Sequence, residues 1–236
     1  MDILIEFARG PLFRFAVTLA LLGLLRHMVL SIVGLVQARK RAGDKRLPIG
    51  SVLRGTFVRL NPLRYFGGHR WAYSILSVTF HVGLILVPIF FLGHIRLFGR
   101  GIGVRWPALS GLLADLLTWV TLVSALLLLW GRAWCRASRA ISRMQDWLLP
   151  PAIAATFLSG FLLAHPAYFP TWISLRAVML VHVGLADALL LATPFTKIAH
   201  CALLPFSQFA VEMAWRFVPG AGQEIAKTLG KESEPI

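Results

Sequence analysis

Residues 80–94 read FHVGLILVPIFFLGH, and residues 181–200 read VHVGLADALLLATPFTKIAH. Both stretches belong to longer apolar segments of 20 residues or more, which is the length typical of a helix that crosses a lipid bilayer. An ionisable or metal-binding side chain is costly inside a bilayer, and such a residue therefore marks a functional site by default. Two histidines on each of two spans match the axial ligands of two haems, one near each membrane face, and predict an electron-carrying membrane subunit. The four histidines are His81, His94, His182 and His200.

The composition of the whole chain also indicates a membrane protein. Of its 236 residues 57% are hydrophobic, and the mean hydropathy is +0.72. Apolar runs of about 20 residues are long enough to cross a bilayer as helices, which satisfy their own backbone hydrogen bonds there. We therefore predict an all-α integral membrane bundle of five transmembrane helices, accompanied by interfacial helices. The predicted spans are Leu12–Val36, Tyr73–Phe98, Leu109–Trp130, Trp147–Tyr168 and Ser174–Ala199.

The segments outside the spans predict two further helices. The loop 37–71 should include a short interfacial helix near Ser51–Leu60, and the stretch LLPFSQFAVEMAWRF after His200 is typical of an amphipathic helix on the membrane surface. We assign residues 1–206 to a five-helix dihaem membrane domain. Residues 207–236 are assigned to a cytoplasmic tail that is amphipathic at first and then polar.

The distribution of basic residues predicts the orientation of the chain. The net charge is +14, and seventeen Lys and Arg residues fall on one side of the predicted spans against six on the other. Since basic loops stay in the cytoplasm, the N-terminus should be outside and the C-terminus cytoplasmic, in the inner membrane. The same charge suits anionic lipids or an acidic partner surface, and its position in short loops argues against a nucleic-acid partner.

Depth in the membrane predicts how the histidines pair. Spans two and five run in opposite directions, so His81 should lie at the depth of His200, and His94 at the depth of His182. The eighteen residues between His182 and His200 return to the same face of an ideal helix. The thirteen residues between His81 and His94 would instead rotate the second histidine by roughly 220°. We expect a kink or bulge at Pro88 to absorb this difference.

The motifs FHVG, GH and PFTKIAH, with eighteen residues between the last two histidines, resemble the gamma subunit of respiratory nitrate reductase. The resemblance covers residues 70–206 and is closer to the members found in heterodisulfide-reductase-like and sulfate-reducer redox complexes. It implies five spans, two b haems and exchange of electrons with a quinone, menaquinone or ubiquinone, near the outer haem. By position it assigns His81 and His200 to the cytoplasmic-side haem, and His94 and His182 to the outer one.

Several other residues are candidates for contact with the cofactors. Gly93, next to His94, would let a flat macrocycle approach the backbone. Asp115 and Asp187 are the acids inside predicted spans, and we favour Asp115, near the outer end of span three, as a proton acceptor in quinone chemistry. His165 could also serve proton transfer. Cations suit haem propionates as well as lipid phosphates, and the candidate cations are Arg64, Arg70, Arg176 and Lys197.

Two readings of function remain open at the level of sequence. The first is a cytochrome b subunit that passes electrons between quinone and a cytoplasmic-side iron–sulfur or other redox subunit. Such a chain would belong to an oxidoreductase complex without being active alone, and whether it counts as an enzyme is left open. The second is a membrane anchor, or a metal or ion transport protein, whose histidines are structural. Cys135 and Cys201 form no CxxC or CxxCH motif, which argues against covalently attached haem and against an iron–sulfur cluster bound by this chain.

Overall fold

The computed structural model describes residues 1–41, 49–61, 71–168, 170, 172–214 and 221–233. Every regular element in these ranges is helical. Helix α1 leads through a π-helical turn, Ala8–Leu12, into α2, and the turn contains Pro11, whose ring nitrogen has no hydrogen to donate. The α-helices are α1 Asp2–Phe7, α2 Phe13–Arg41, α3 Ile49–Leu60, α4 Trp71–Phe90, α5 Leu92–Ile102, α6 Gly111–Trp134, α7 Arg136–Ala140, α8 Met144–Ala164, α9 Leu175–Ala192, α10 His200–Ala214 and α11 Ala221–Thr228.

Five helical segments within the described ranges are long and apolar enough to cross a membrane, as the sequence predicts. The first is longer than expected, because α1, the π-helical turn and α2 form one continuous rod. The second is shorter, because it ends at Phe90 rather than at Phe98. The segments are Asp2–Lys40, Trp71–Phe90, Gly111–Trp134, Met144–Ala164 and Leu175–Phe195.

The chain divides into two compact units, and the first comprises residues 1–21 and 65–197. In this unit α4, α6, α8 and α9 pack each against the next, and α9 also packs against α1 and the π-helical turn. Apolar side chains from all four helices meet in one core, where Leu189 of α9 packs against a buried cluster. That cluster consists of Phe80, Val87, Leu122, Ala125, Ile153 and Phe157.

The helices α4 and α6 pack tightly together at a glycine. A Cβ atom on Gly83 would lie 2.8 Å from the backbone oxygen of Leu117 and would collide with the Thr121 hydroxyl. Nearby, the hydroxyls of Thr79 and Ser124 are hydrogen-bonded across the two helices at 3.0 Å. Small residues and interhelical hydrogen bonds of this kind hold helices together in lipid, where burial of apolar surface gives little driving force.

A break at Phe91 separates the helix of His81 from the helix of His94. Phe91 is extended, with φ −70° and ψ 130°, and α5 begins directly after it. The break leaves carbonyls at the end of α4 without their helical partners. Three donors from later in the chain satisfy them: Nδ1 of His94 donates to Pro88 at 3.1 Å, the Trp106 indole to Ile89 at 2.8 Å, and the Leu109 amide to Phe90 at 2.9 Å. The chain therefore ends one helix and begins another here, where the sequence predicts a kink within a single span.

The second unit comprises residues 22–64 and 198–236. Here α3 packs against α10, with Val52 and Met213 buried between them. Arg59 donates a hydrogen bond to the carboxylate of Glu212, and Gly55 leaves room for that carboxylate. A helix, α3, is present where a short interfacial one was predicted near Ser51–Leu60, and the stretch predicted as an amphipathic helix falls largely on α10. The placement of both helices on the membrane surface stays a prediction.

Candidate functional site

The imidazole rings of His94 and His182 lie next to each other in the first unit. Their centroids are 6.1 Å apart, and the two ring planes are inclined by only 5°. His94 comes from α5, just beyond the break, and His182 from the second turn of α9. Two imidazoles that bind one metal ion from opposite sides have centroids roughly 6–6.5 Å apart, since each metal–nitrogen bond is about 2.0–2.1 Å. The separation of the stacked rings of His94 and His182 falls in this range.

Hydrogen bonds to main-chain oxygens set the tautomer of both rings. Nδ1 of His94 lies 3.1 Å from the carbonyl oxygen of Pro88, and Nδ1 of His182 lies 2.9 Å from that of Thr156 on α8. The Ser159 hydroxyl donates to the same Thr156 carbonyl and lies 3.2 Å from Nδ1 of His182. Because a carbonyl only accepts, each Nδ1 carries the hydrogen and each Nε2 carries the lone pair. Metal-ligating histidines are oriented in this way by their outer hydrogen bonds.

The surroundings of His94 favour a neutral imidazole. Burial, and after it the neighbouring His182, lower the pKa of His94, which lies beyond the end of the spanning helix α4. Gly160 of α8 lies against the other ring, because a Cβ there would be 2.9 Å from Cε1 of His182. Ser159, Thr156 and Gly160 are contacts that the sequence did not reveal, since nothing in a chain of apolar and small residues marks the face of α8 that meets α9.

Gly93 has a different neighbour from the one expected. A Cβ on this residue would lie 2.8 Å from the Phe91 ring, so the small residue serves the tight turn at the helix break. The space beside Gly83, two residues after His81, is likewise occupied, here by Thr121 and the Leu117 carbonyl of α6. A role for Gly93 in approach to a macrocycle stays a prediction.

The second predicted histidine pair is divided between the two units. His81 lies in α4 of the first unit, where its Nδ1 is 2.6 Å from the carbonyl oxygen of Ser77, one turn earlier. His200 begins α10 in the second unit. His81 thus has the same kind of outer hydrogen bond as His94 and His182. Its pairing with His200 stays a prediction.

Two of the four predicted cations are ion-paired with carboxylates of the protein. Nζ of Lys197 lies 2.5 Å from Oδ2 of Asp146, whose other oxygen is 3.9 Å from Arg132. Nε of Arg176 lies 3.3 Å from Oδ1 of Asp2, and both of these side chains are mostly exposed. Arg64 and Arg70 lie outside the described residues. Binding of haem propionates by any of these cations stays a prediction.

Asp115 is hydrogen-bonded to a histidine at the end of the first unit where α6 begins and α8 ends. Oδ1 of Asp115 lies 2.9 Å from Nε2 of His165, and both side chains are about one-third exposed. The structure therefore brings together two residues that the sequence proposed separately for proton transfer.

Asp187 is the most buried acid among the described residues. Its exposure is 1%, and neither carboxylate oxygen has a hydrogen-bond partner in the described part of the chain. Within the same ranges, no three histidine, cysteine or acidic side chains come close enough to hold a metal ion together.

The fold and these contacts define a multi-pass helical membrane protein with two adjacent histidines from separate helices. A protein of Nitratidesulfovibrio vulgaris strain Hildenborough, named only "Protein", is 28% identical to this chain over 221 residues. The matched segment covers 91% of this chain and 94% of that protein. No protein-family model matches the chain, and no solved structure matches it.

Proposed function

We propose that this chain is the dihaem cytochrome b subunit of a membrane redox complex, and that it passes electrons between quinone or quinol and a partner redox subunit. The observation that carries the proposal is the parallel pair of His94 and His182, each with Nδ1 bonded to a main-chain carbonyl. The resemblance to the nitrate reductase gamma subunit, and to its counterparts in sulfate-reducer complexes, supports the same function.

Imidazole is a suitable axial donor to a b haem, and four are proposed here. His94 and His182 would hold the outer haem, and His81 and His200 the inner one. When bound, haem would supply one-electron transfer, for which the apolar side chains of this fold have no chemistry of their own. The protein's part is to hold the imidazoles in the Nδ1–H tautomer, which the carbonyls of Pro88, Thr156 and Ser77 do for His94, His182 and His81.

The proposed orientation follows the positive-inside rule. Seventeen basic residues would lie on the cytoplasmic side, with the C-terminus, and six outside, with the N-terminus. This places the protein in the inner membrane of a bacterium. It also presents the basic loops to anionic lipid and to a cytoplasmic iron–sulfur or other redox subunit, which the chain needs as an electron donor or acceptor.

Haem content in single-histidine variants tests the proposal. The purified protein should show the reduced-minus-oxidised spectrum of b haem, and pyridine haemochrome titration should give two haems per chain. His94→Ala and His182→Ala should each lose one haem, and the double variant should lose no more than either. His81→Ala and His200→Ala should both lose the other haem.

His27→Ala in α2 is the matched control, because it removes an imidazole from a spanning helix and should leave both haems in place. Absence of haem from the unsubstituted protein would overturn the proposal. Additive loss from His94→Ala and His182→Ala would show that these two residues do not share one haem.

A further inference from the structure

An open apolar groove of about 430 Å³ lies on the surface formed by α6, α8 and the turn after α8. Its volume falls in the range of small-molecule sites, about 300–1,000 Å³. Three of its walls are aromatic, and the Trp119 and Phe161 rings meet edge to face with centroids 5.1 Å apart. The residues that line it are Trp119, Leu158, Phe161, Leu162 and Tyr168.

Helix periodicity places a polar pair at one end of this groove. Asp115 precedes Trp119 by four residues on α6, and His165 follows Phe161 by four at the end of α8, so each pair shares a helix face. The His165 ring lies directly against two groove residues, with centroids 4.5 Å from Phe161 and 5.7 Å from Tyr168. The hydrogen bond between His165 and Asp115 is therefore immediately beside the aromatic wall.

The hydrogen bond also defines what this pair can do. Nε2 of His165 donates to the Asp115 carboxylate, since an ionised carboxylate only accepts. Nδ1 then carries the lone pair and can take a proton from a hydroxyl group. The carboxylate stabilises the imidazolium that results, as the acid does in a Ser-His-Asp triad. An apolar groove next to a base suits a ligand that is flat, aromatic and mostly apolar, and that carries an acidic hydroxyl at one end.

We infer that this groove binds the head group of a quinol and that His165, held by Asp115, accepts a hydroxyl proton from it. This rests on the proposed function and assigns its quinol site to α6 and α8. The flat ring packs among Trp119, Phe161 and Tyr168, and the prenyl tail follows the apolar groove. In the proton transfer, the O–H bond breaks and Nδ1–H forms, while the electron pair stays on the quinol oxygen.

Equilibrium binding tests this inference without any need for electron transfer. The probes are menadiol, a naphthoquinol without a tail, and its dimethyl ether, which has the same rings and no hydroxyl hydrogen. Both are titrated calorimetrically into the full chain in lipid nanodiscs. Menadiol should bind more tightly than the ether. Asp115→Asn and His165→Phe should weaken menadiol binding on the order of tenfold, because a charge-assisted hydrogen bond is lost, and should leave ether binding unchanged.

A second pair of variants tests the groove itself. Leu158→Trp fills it and should abolish binding of both probes. Leu112→Trp adds the same ring at a position on α6 that is 83% exposed, and should change neither affinity. A conservative Asp115→Glu variant should retain part of the preference for menadiol if the carboxylate acts by orienting His165.

Three outcomes would overturn the inference. They are no menadiol binding to the unsubstituted chain, equal losses of both probes in Asp115→Asn, and unchanged binding in Leu158→Trp. Equal displacement of both probes by added phospholipid would also overturn it, because it would identify the groove as a lipid-binding site. Haem counts on the same samples separate the two proposals. A haem-free chain whose menadiol binding depends on His165 and Asp115 would contradict the proposed function alone.

Discussion

The tetrapeptide His-Val-Gly-Leu occurs at residues 81–84 on α4 and again at 182–185 on α9, and the fold uses the two copies differently. In the first copy the glycine is buried against α6, while the valine is 42% exposed. In the second the valine is 8% exposed, and no atom of the described residues, apart from the glycine's own helix backbone and chain neighbours, lies within 4 Å of its Cβ position. Since adjacent residues lie about 100° apart on a helix, the two helices bury faces that differ by one residue's rotation.

The histidines of the two copies also differ in which helix supplies the hydrogen-bond acceptor for Nδ1. Nδ1 of His81 bonds to a carbonyl of its own helix, whereas Nδ1 of His182 reaches across to Thr156 of α8. Identical local sequence thus gives the same side-chain chemistry, while the neighbouring helix decides which atoms support it. A motif of this kind identifies candidate ligands but leaves their outer contacts open.

The largest expected effect in this comparison is at the two glycines. Gly83→Ala places a methyl group 2.8 Å from the Leu117 carbonyl, a backbone atom that cannot turn aside. We expect it to lower the free energy of unfolding by about 1–3 kcal/mol, the usual cost of overpacking. Gly184→Ala is the control and should be neutral, or gain up to about 1 kcal/mol from helix propensity. Circular dichroism during thermal unfolding measures both, and equal effects would refute the difference between the copies.

A smaller effect is expected five residues after each histidine, where the first copy has Leu86 and the second Asp187. Asp187→Asn removes a buried carboxylate whose oxygens have no partner among the described residues. Since an unpaired buried charge is costly, the variant should be more stable at neutral pH by about 1–2 kcal/mol. Leu86→Met is a control that keeps an apolar side chain of similar size. A drop in the thermal midpoint of Asp187→Asn would instead show that the carboxylate has a stabilising partner.

The smallest effect is expected at the serines near the two histidines. Ser159→Ala removes the longer of two contacts to Nδ1 of His182, and the Thr156 carbonyl remains at 2.9 Å. We expect the free energy of unfolding to fall by about 0.5–1.5 kcal/mol. The Nδ1–H tautomer should be unchanged, as the ¹⁵N chemical shifts of the imidazole would show. Ser77→Ala should alter neither, because His81 is hydrogen-bonded there to the main-chain oxygen, which the substitution keeps. A changed tautomer in Ser159→Ala would make the hydroxyl, and not the carbonyl, the orienting group.

Hydropathy alone predicts the number of spans and the position of most of their ends. The signal is strong because a bilayer requires about 20 apolar residues in a row and a helix to satisfy the backbone. The two main errors are the start of the first span, at Asp2 rather than Leu12, and the end of the second, at Phe90 rather than Phe98. The residues after the break, Leu92 to Phe98, remain apolar enough to extend the hydropathy signal, although their helix is a separate one.

The pairing of His94 with His182 by depth agrees with where the rings lie, although the predicted rotation of 220° argues against it. The contradiction came from treating His81 and His94 as parts of one helix. Contacts that depend on which faces meet, such as Gly160 against His182 or His165 against Asp115, are not encoded in any local pattern. They follow from the packing of α6, α8 and α9, which a single sequence does not specify.

Because Phe91 is extended, the positions of His81 and His94 relative to each other are not fixed by the number of helical residues between them. In an uninterrupted helix, one residue added between His81 and His94 would swing the second ring by about 100° and shift it by about 1.5 Å along the axis. At a junction between two helices, an added or lost residue can be absorbed by the junction itself, while Nδ1 of His94 stays on the Pro88 carbonyl. Related chains can therefore differ in the length of this spacer and still place the two rings side by side. A pattern search that demands a fixed count between the histidines would pass over such relatives.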